Sequence, residues 1–382
     1  MVGKIGLVGA GAVGSYYGLV LQKAGVDVHF LLRSNYLQVK QSGLTLVHHG
    51  KEKKIEHFQN LNIYSESQQI GLCDWVIIST KTTVNHELTE ILEPVVGEKT
   101  AFLTLQNGMG NVENLRNSFG ANRTVVGGLC FTCINRTSPT TVESLLAGYV
   151  QFGQLGQCLT KRAKSMVDSF DNAGVRVRSS DSLEEALWRK LCWNVPFNGL
   201  SIVGGGITTD LILNSLELRS RAEKLMKEIQ SAAKEYGVTI ENSFLDRQFS
   251  LTEPMGPYKP SSLIDFLAGK TVEIESIWGE PLKRGKEMGL MMPELEKLYN
   301  AICKVLSASY ESGGATIRNY SDLYNNHGKY ARFASNPQEM LEARWDNKVM
   351  IYGRQQDIYG NIVQRIKLDD KRTTYWTPEV QK

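Results

Sequence analysis

Lys190, Asn194 and Asn198 recur every four residues in the stretch EEALWRKLCWNVPFNG, residues 184–199. On an α-helix that spacing puts one ammonium and two carboxamides in a narrow stripe on one face. An ammonium stabilises negative charge that develops on an oxygen, and it can give that oxygen a proton. Carboxamides hold carboxylate and hydroxyl oxygens without altering the local charge. The rest of the stretch is apolar: Leu187, Trp188, Leu191, Cys192 and Trp193 crowd together, so the helix should be buried. Pro196 lacks the N–H that would bond the carbonyl of Cys192, and it is expected to interrupt and bend the helix within the stripe. The competing reading is a snorkelling lysine with two asparagines on a helix surface.

A second set of residues lies near the start of the chain. Gly9, Gly11 and Gly14 form G-x-G-x-x-G between a short apolar run, KIGLV, and a helical pattern from Ala12 to Lys23. The motif alone is weak, but the strand–turn–helix–strand context gives each glycine a reason. Gly9 makes the tight turn, Gly11 admits a pyrophosphate, and Gly14 lets helix pack on strand. The helix N-terminus offers free N–H groups and a positive dipole end to phosphates. Gly9, Ala10, Gly11, Ala12, Val13 and Gly14 are therefore candidate cofactor contacts. The second strand, VDVHFLL, runs into Arg33 and Ser34, where an NAD enzyme usually carries Asp or Glu. An arginine cannot accept from a ribose 2′-hydroxyl but can pair with a 2′-phosphate, which points to NADP(H).

These residues need a scaffold. DWVIIST is a continuous apolar run that reads as a central strand ending at Lys81, and AFLTLQ is another ending at Asn107. Ligands of open parallel sheets bind beyond the carboxyl ends of strands, so Lys81 and Asn107 border the expected crevice. VVGGLCFTCI, YVQFGQLG and VRVRSS extend the sheet, with a helix over residues 160–173. LTLVHHGKEKKIEHF reads as an edge hairpin whose histidines, His48 and His49 among them, are exposed. After Ser180 the patterns become helical. Residues 211–237 read as one helix of some seven turns. A Pro-rich entry follows, where Ser261 or Ser262 could cap the next helix, and a last helix begins near Pro293. The fold class expected is an α/β Rossmann domain with a doubly wound, mainly parallel sheet, then an all-α domain and a short β-rich extension.

Composition bounds the function. The chain has 382 residues, with 22% charged side chains and a net charge of +3. Its basic runs, KEKK and KLDDKR, are short and mixed with acid, so no nucleic acid is expected as a partner. No apolar run reaches the ~18–20 residues that span a bilayer, so no membrane is expected either. The glycines of the N-terminal segment fit a nucleotide turn better than a signal peptide. Six cysteines are scattered through a long chain, which suggests a reduced cytoplasmic protein without a metal site. Cys130 and Cys133 form one C-x-x-C with no second pair nearby.

Six motifs in one order resemble the ketopantoate reductases (2-dehydropantoate 2-reductases). They are GAGAVGSYYG, the Arg33 position, STK at Lys81, LQNGMGN at Asn107, WRKLCWNVPFNGLS at Lys190, and YKPSSLIDFLAGKTVEIESIWG. The resemblance covers roughly residues 4–310. It implies a Rossmann domain followed by a helical domain, with a small 2-oxo acid in the cleft between them. It implies that Lys190 is the general acid, that Asn194 and Asn198 contact substrate, and that Asn107 lies near both nicotinamide and substrate. Ser261, twelve residues before Glu273, matches the substrate serine. Glu273 matches a catalytic glutamate that also reaches the cofactor; there it would accept from the substrate's 4-hydroxyl and hold Lys190 in place. The expected organisation is an NADP-binding domain over residues 1–180, a helical substrate and dimerisation domain over 181–325, and an extension over 326–382 of unknown role. A homodimer is the assembly to test.

Alternatives from other classes are a reductase of another 2-oxo acid, an NADP-binding redox sensor without chemistry, and a glycerol-3-phosphate or hydroxyacid dehydrogenase. The paired Lys190 and Glu273 argue against the sensor. A phosphate substrate would call for extra arginines. Family members usually stop near residue 310, whereas this chain continues. From Asn326 it carries ten Lys/Arg against seven Asp/Glu. KVMIYG, NIVQRIKL and TTYW in that segment read as short strands with LDDKR as a turn, a small sheet expected to dock on the protein's own surface or at a subunit interface rather than to join the catalytic machinery.

Arg33 generates the first prediction. A charge-assisted contact to the 2′-phosphate contributes about 1.5–3 kcal/mol, so NADPH should be preferred over NADH by roughly 10- to 150-fold. Arg33→Ala should erase most of that difference in kcat/KM. Equal kcat/KM for both cofactors in the unmodified protein would remove the basis for the assignment.

Overall fold

A computed structural model describes residues 2–50, 52–311, 364–367 and 373–376. The chain divides into two compact units, residues 1–188 and residues 189–382.

The first unit is built on one mixed sheet. Its strands are β1 (Ile5–Val8), β2 (Val28–Leu31), β3 (Leu44–His48), β4 (Lys54–Phe58), β5 (Asn62–Tyr64), β6 (Cys73–Ile78), β7 (Val96–Thr104), β8 (Val125–Ser138), β9 (Thr141–Gly153) and β10 (Val177–Ser179). The order across the sheet is β4-β3-β9-β8-β7-β6-β1-β2-β5, with β10 beside β9. Only β8–β9 and β3–β4 pair antiparallel; every other pairing is parallel. Helices Ala12–Lys23 and Lys161–Asn172 connect strands, as the apolar periodicity predicts.

The central strands are apolar on both faces because both faces are covered. Trp75 and Ile77 of β6 enter one core with Leu7, Leu19, Phe30 and Phe170, while Val76 and Ile78 enter the other with Leu92, Phe102 and Leu115. The edge hairpin forms where the sequence places it, between β3 and β4. His48 is less exposed than expected: it faces Glu56 at 3.2 Å and sets its ring against Tyr16.

The second unit is helical among its described residues up to 311. Helix Leu183–Val203 starts within the first unit and continues without a break through Pro196. Proline removes one N–H and one hydrogen bond, and here the surrounding side chains of Val195, Phe197 and Leu200 are fully buried, so packing holds both turns. The seven-turn helix expected over residues 211–237 is instead two, Thr209–Asn214 and Leu216–Glu235. Ser215 is extended between them, and its hydroxyl accepts from the Leu218 N–H at 3.3 Å. A serine inside an amphipathic run becomes a cap when the chain turns there.

Further on lie helices Asn242–Thr252, Ser261–Leu267, Glu280–Glu287 and Pro293–Glu311, with a π turn over Glu275–Gly279. Glu228 receives the N–H groups of Glu294 and Leu295 at 2.9 and 2.7 Å, which satisfies the start of the last helix. Gln364–Lys367 and Thr373–Trp376 pair antiparallel, in keeping with two of the three strand-like runs. The third run, at residues 348–353, and the turn at 368–372 lie outside the described residues. No helix among the described residues is long and apolar enough to cross a membrane.

Candidate active site

The glycine loop leaves β1 and enters helix Ala12–Lys23. Gly9 has φ +94°, and a Cβ there would lie 2.3 Å from the backbone N of Thr80. Only glycine fits so close to the end of β6. A Cβ on Gly14 would meet the Gly9 carbonyl at 2.3 Å, so helix and loop are in direct backbone contact. At Gly11 the only atom within 4 Å of such a Cβ is the Gly9 oxygen at 3.9 Å, so the space above it is open. No side chain caps the helix that follows. Open space over a glycine, in front of uncapped helix N–H groups, fits a pyrophosphate.

Lys81 and Asn107 lie just past the carboxyl ends of β6 and β7 and are half-buried. A polar network absent from the sequence reading ties their loops together. Gln106 donates to Thr80 Oγ1 at 3.1 Å and to Asn85 Oδ1 at 2.8 Å. Asn85 donates to Asn111 Oδ1 at 3.0 Å, and Asn111 donates to the Asn107 carbonyl at 3.0 Å. Several linked amides fix a loop better than any single bond, because each orients the next. Arg33 is exposed, and its Nη2 is 3.3 Å from Glu87 Oε2. An exposed pair of this kind contributes only about 0–1 kcal/mol, so a 2′-phosphate can displace it.

The second unit carries the other group. Lys190 is half-buried, whereas Asn194 is 8% and Asn198 1% exposed, so the stripe runs inward along its helix. Asn198 Oδ1 accepts the backbone N–H of Ser262 at 2.9 Å. Ser262 is the second residue of helix Ser261–Leu267, where N–H groups have no partner within the helix, and Pro260 at its N-cap supplies no side-chain acceptor. Neither serine is the cap; both lie inside the helix. Ser262 is buried and meets Asn198, while Ser261, the serine chosen by spacing, is exposed. Asn198 Nδ2 is buried with no partner among the described residues, a donor available to a ligand.

Glu273 is 4% exposed and lies just before the π turn. Trp278 in that turn donates from Nε1 to the Val195 carbonyl at 2.9 Å, on the Lys190 helix. A Cβ on Gly199 would lie 2.9 Å from that Nε1 and 2.6 Å from Leu298, so glycine is what lets the indole approach. The Glu273 segment and the Ser262 segment are thus both fastened to the helix that carries Lys190. Cys192 on the same helix is fully buried, and burial pushes its thiol up to about 12; it is core rather than nucleophile.

The family profile described as Ketopantoate reductase PanE/ApbA matches residues 5–157, and its C-terminal counterpart matches residues 182–305. The chain is 35% identical over 321 residues to a 2-dehydropantoate 2-reductase of a Nostoc species, covering 82% of this chain and 98% of that one. A crystal structure of 2-dehydropantoate 2-reductase from Geobacter metallireducens superposes with a TM-score of 0.75 at 37% identity, covering 79% of this chain and 99% of that one. The corresponding structure from Methylococcus capsulatus gives 0.72 at 27% identity, covering 85% and 100%.

The bond from Ser262 to Asn198 predicts a stability effect. Asn198→Ala should lower the unfolding free energy by about 1–2 kcal/mol, as loss of a helix cap does. Denaturant unfolding measures it. An unchanged midpoint would mean that the start of helix Ser261–Leu267 does not depend on Asn198.

Proposed function

The chain belongs to the ketopantoate reductase family, and on that premise we propose that it reduces 2-dehydropantoate to pantoate with NADPH, as a cytoplasmic homodimer. The observation that carries the reading is the stripe itself: Lys190, Asn194 and Asn198 on one unbroken helix, increasingly buried, with Glu273 buried in the same unit.

The first unit is the cofactor's. Gly9, Ala10, Gly11, Ala12, Val13 and Gly14 would hold the pyrophosphate at the helix N-terminus, with Arg33 on the 2′-phosphate and Lys81 and Asn107 toward the nicotinamide. When bound, the nicotinamide supplies a hydride to the 2-keto carbon of the substrate. Lys190 protonates the former carbonyl oxygen and stabilises the charge that develops there, so the keto acid gains one hydride and one proton to become the hydroxy acid. Asn194 and Asn198 orient the carboxylate and hydroxyl oxygens without adding charge. Glu273, the carboxylate matched by the family resemblance, accepts from the 4-hydroxyl and positions Lys190. Ser261, twelve residues before Glu273, is the serine matched to the substrate, and its exposed side chain is open to a ligand, whereas Ser262 meets Asn198 through its backbone N–H.

Two experiments test this. Lys190→Ala should lower kcat by about 10²- to 10⁴-fold, the usual contribution of a general acid, while NADPH affinity changes little. Retention of more than about a tenth of kcat, with chemistry rate-limiting, would remove Lys190 from that role. Ser261→Ala should raise KM for ketopantoate several-fold, a loss of about 1 kcal/mol or more, while Ser262→Ala, which keeps the backbone N–H that meets Asn198, leaves it near the original value. The opposite order would make Ser262 the substrate serine.

A further inference from the structure

Arg136, near the end of β8, has no role in the reading above. Its Nη2 donates to Ser15 Oγ at 2.7 Å. Ser15 Oγ in turn donates to the carbonyl of Ala10 at 3.0 Å, in the centre of the glycine loop. The guanidinium is therefore two hydrogen bonds from the loop. Three residues on, the Pro139 carbonyl receives the side-chain amide of Asn35 at 3.0 Å, just past Arg33. One strand end thus touches both segments assigned to the dinucleotide.

Among the described residues no carboxylate forms an ion pair with Arg136, and its Nε is buried without a partner. Burial pushes its guanidinium down from the ordinary arginine value. A sheltered, unpaired cation destabilises a fold unless something compensates it. A neutral serine does not. The open space above Gly11, in front of the helix that Ser15 belongs to, is where the dinucleotide reading puts an anion.

We propose that Arg136 is a positioning residue for the dinucleotide: it fixes the glycine loop through Ser15, and its charge is balanced by the pyrophosphate. This rests on the dinucleotide reading of the loop. Arg136 acts from behind the loop, adding to the positive end of the helix dipole, whose reach is short. The anion completes an electrostatic pair that the protein alone leaves open. Binding should therefore stabilise the fold by more than the contacts of the exposed Arg33 provide.

The test uses the full chain, with NADPH binding measured by calorimetry and thermal unfolding measured with and without NADPH. Arg136→Met removes the charge and keeps much of the bulk. It should raise the dissociation constant for NADPH roughly tenfold or more, a difference of about 1.4 kcal/mol. The ligand-free melting temperature should stay the same or rise, because a half-buried charge without an ion-pair partner has been removed. Arg136→Lys keeps the charge and should retain most of the affinity. A lowered ligand-free melting temperature with unchanged NADPH affinity would make Arg136 a structural fastener and overturn the proposal. If the unmodified protein bound no dinucleotide at all, the loop reading would fall first, and the proposal with it.

Discussion

The hydrogen bond from the Ser262 N–H to Asn198 Oδ1 ties the start of one helix of the second unit to the helix that carries Lys190. It joins positions 64 residues apart and gives a buried helix start the acceptor it lacks locally. Unpaired backbone donors in an interior cost about 1–3 kcal/mol each, so the helix Ser261–Leu267 and the Lys190 helix are held in one arrangement. The Trp278 bond to the Val195 carbonyl does the same for the Glu273 segment, three residues along the same helix from Asn198. The polar side chains proposed to act on the substrate are consequently attached to a single apolar rod, which is the condition for precise orientation.

The first unit meets a different constraint. Its loop must bring backbone, not side chains, up to an anion, so side chains are removed where they would intrude. Gly9 and Gly14 are pressed against the end of β6 and against each other, while Gly11 faces open space. The amide network through Gln106 and Asn85 then fixes the two neighbouring strand ends. Rigidity there comes from neutral amides, each of which orients the next. Arg136 extends this logic behind the loop.

Much of this was legible before any coordinates. The strands of the first unit announce themselves as apolar runs because both faces of the sheet are covered, and the glycine spacing follows from the turn. The edge hairpin was visible in its alternation. Features that depend on partners distant in sequence were not. Nothing near Ser262 says that its N–H will find Asn198. Ser215 sits inside a good amphipathic pattern, and only the direction of the chain reveals it as a cap. Pro196 carries a strong local signal for interruption, but burial of the flanking turns overrides it. Gln106 and Arg136 have no local signature at all, since their meaning lies in side chains brought together by sheet order.

Turnover of ketopantoate itself tests the functional assignment most directly. With the unmodified full chain, addition of ketopantoate to NADPH should consume the nicotinamide absorbance, with one pantoate formed per NADPH oxidised. On the proposed role of Glu273 as acceptor of the 4-hydroxyl, the rate should exceed that with 2-oxo acids lacking it, since losing a hydrogen bond to a charged group costs about 1.5–3 kcal/mol. Tight NADPH binding with no oxidation on adding ketopantoate, or faster turnover of a 2-oxo acid without that hydroxyl, would contradict the assignment.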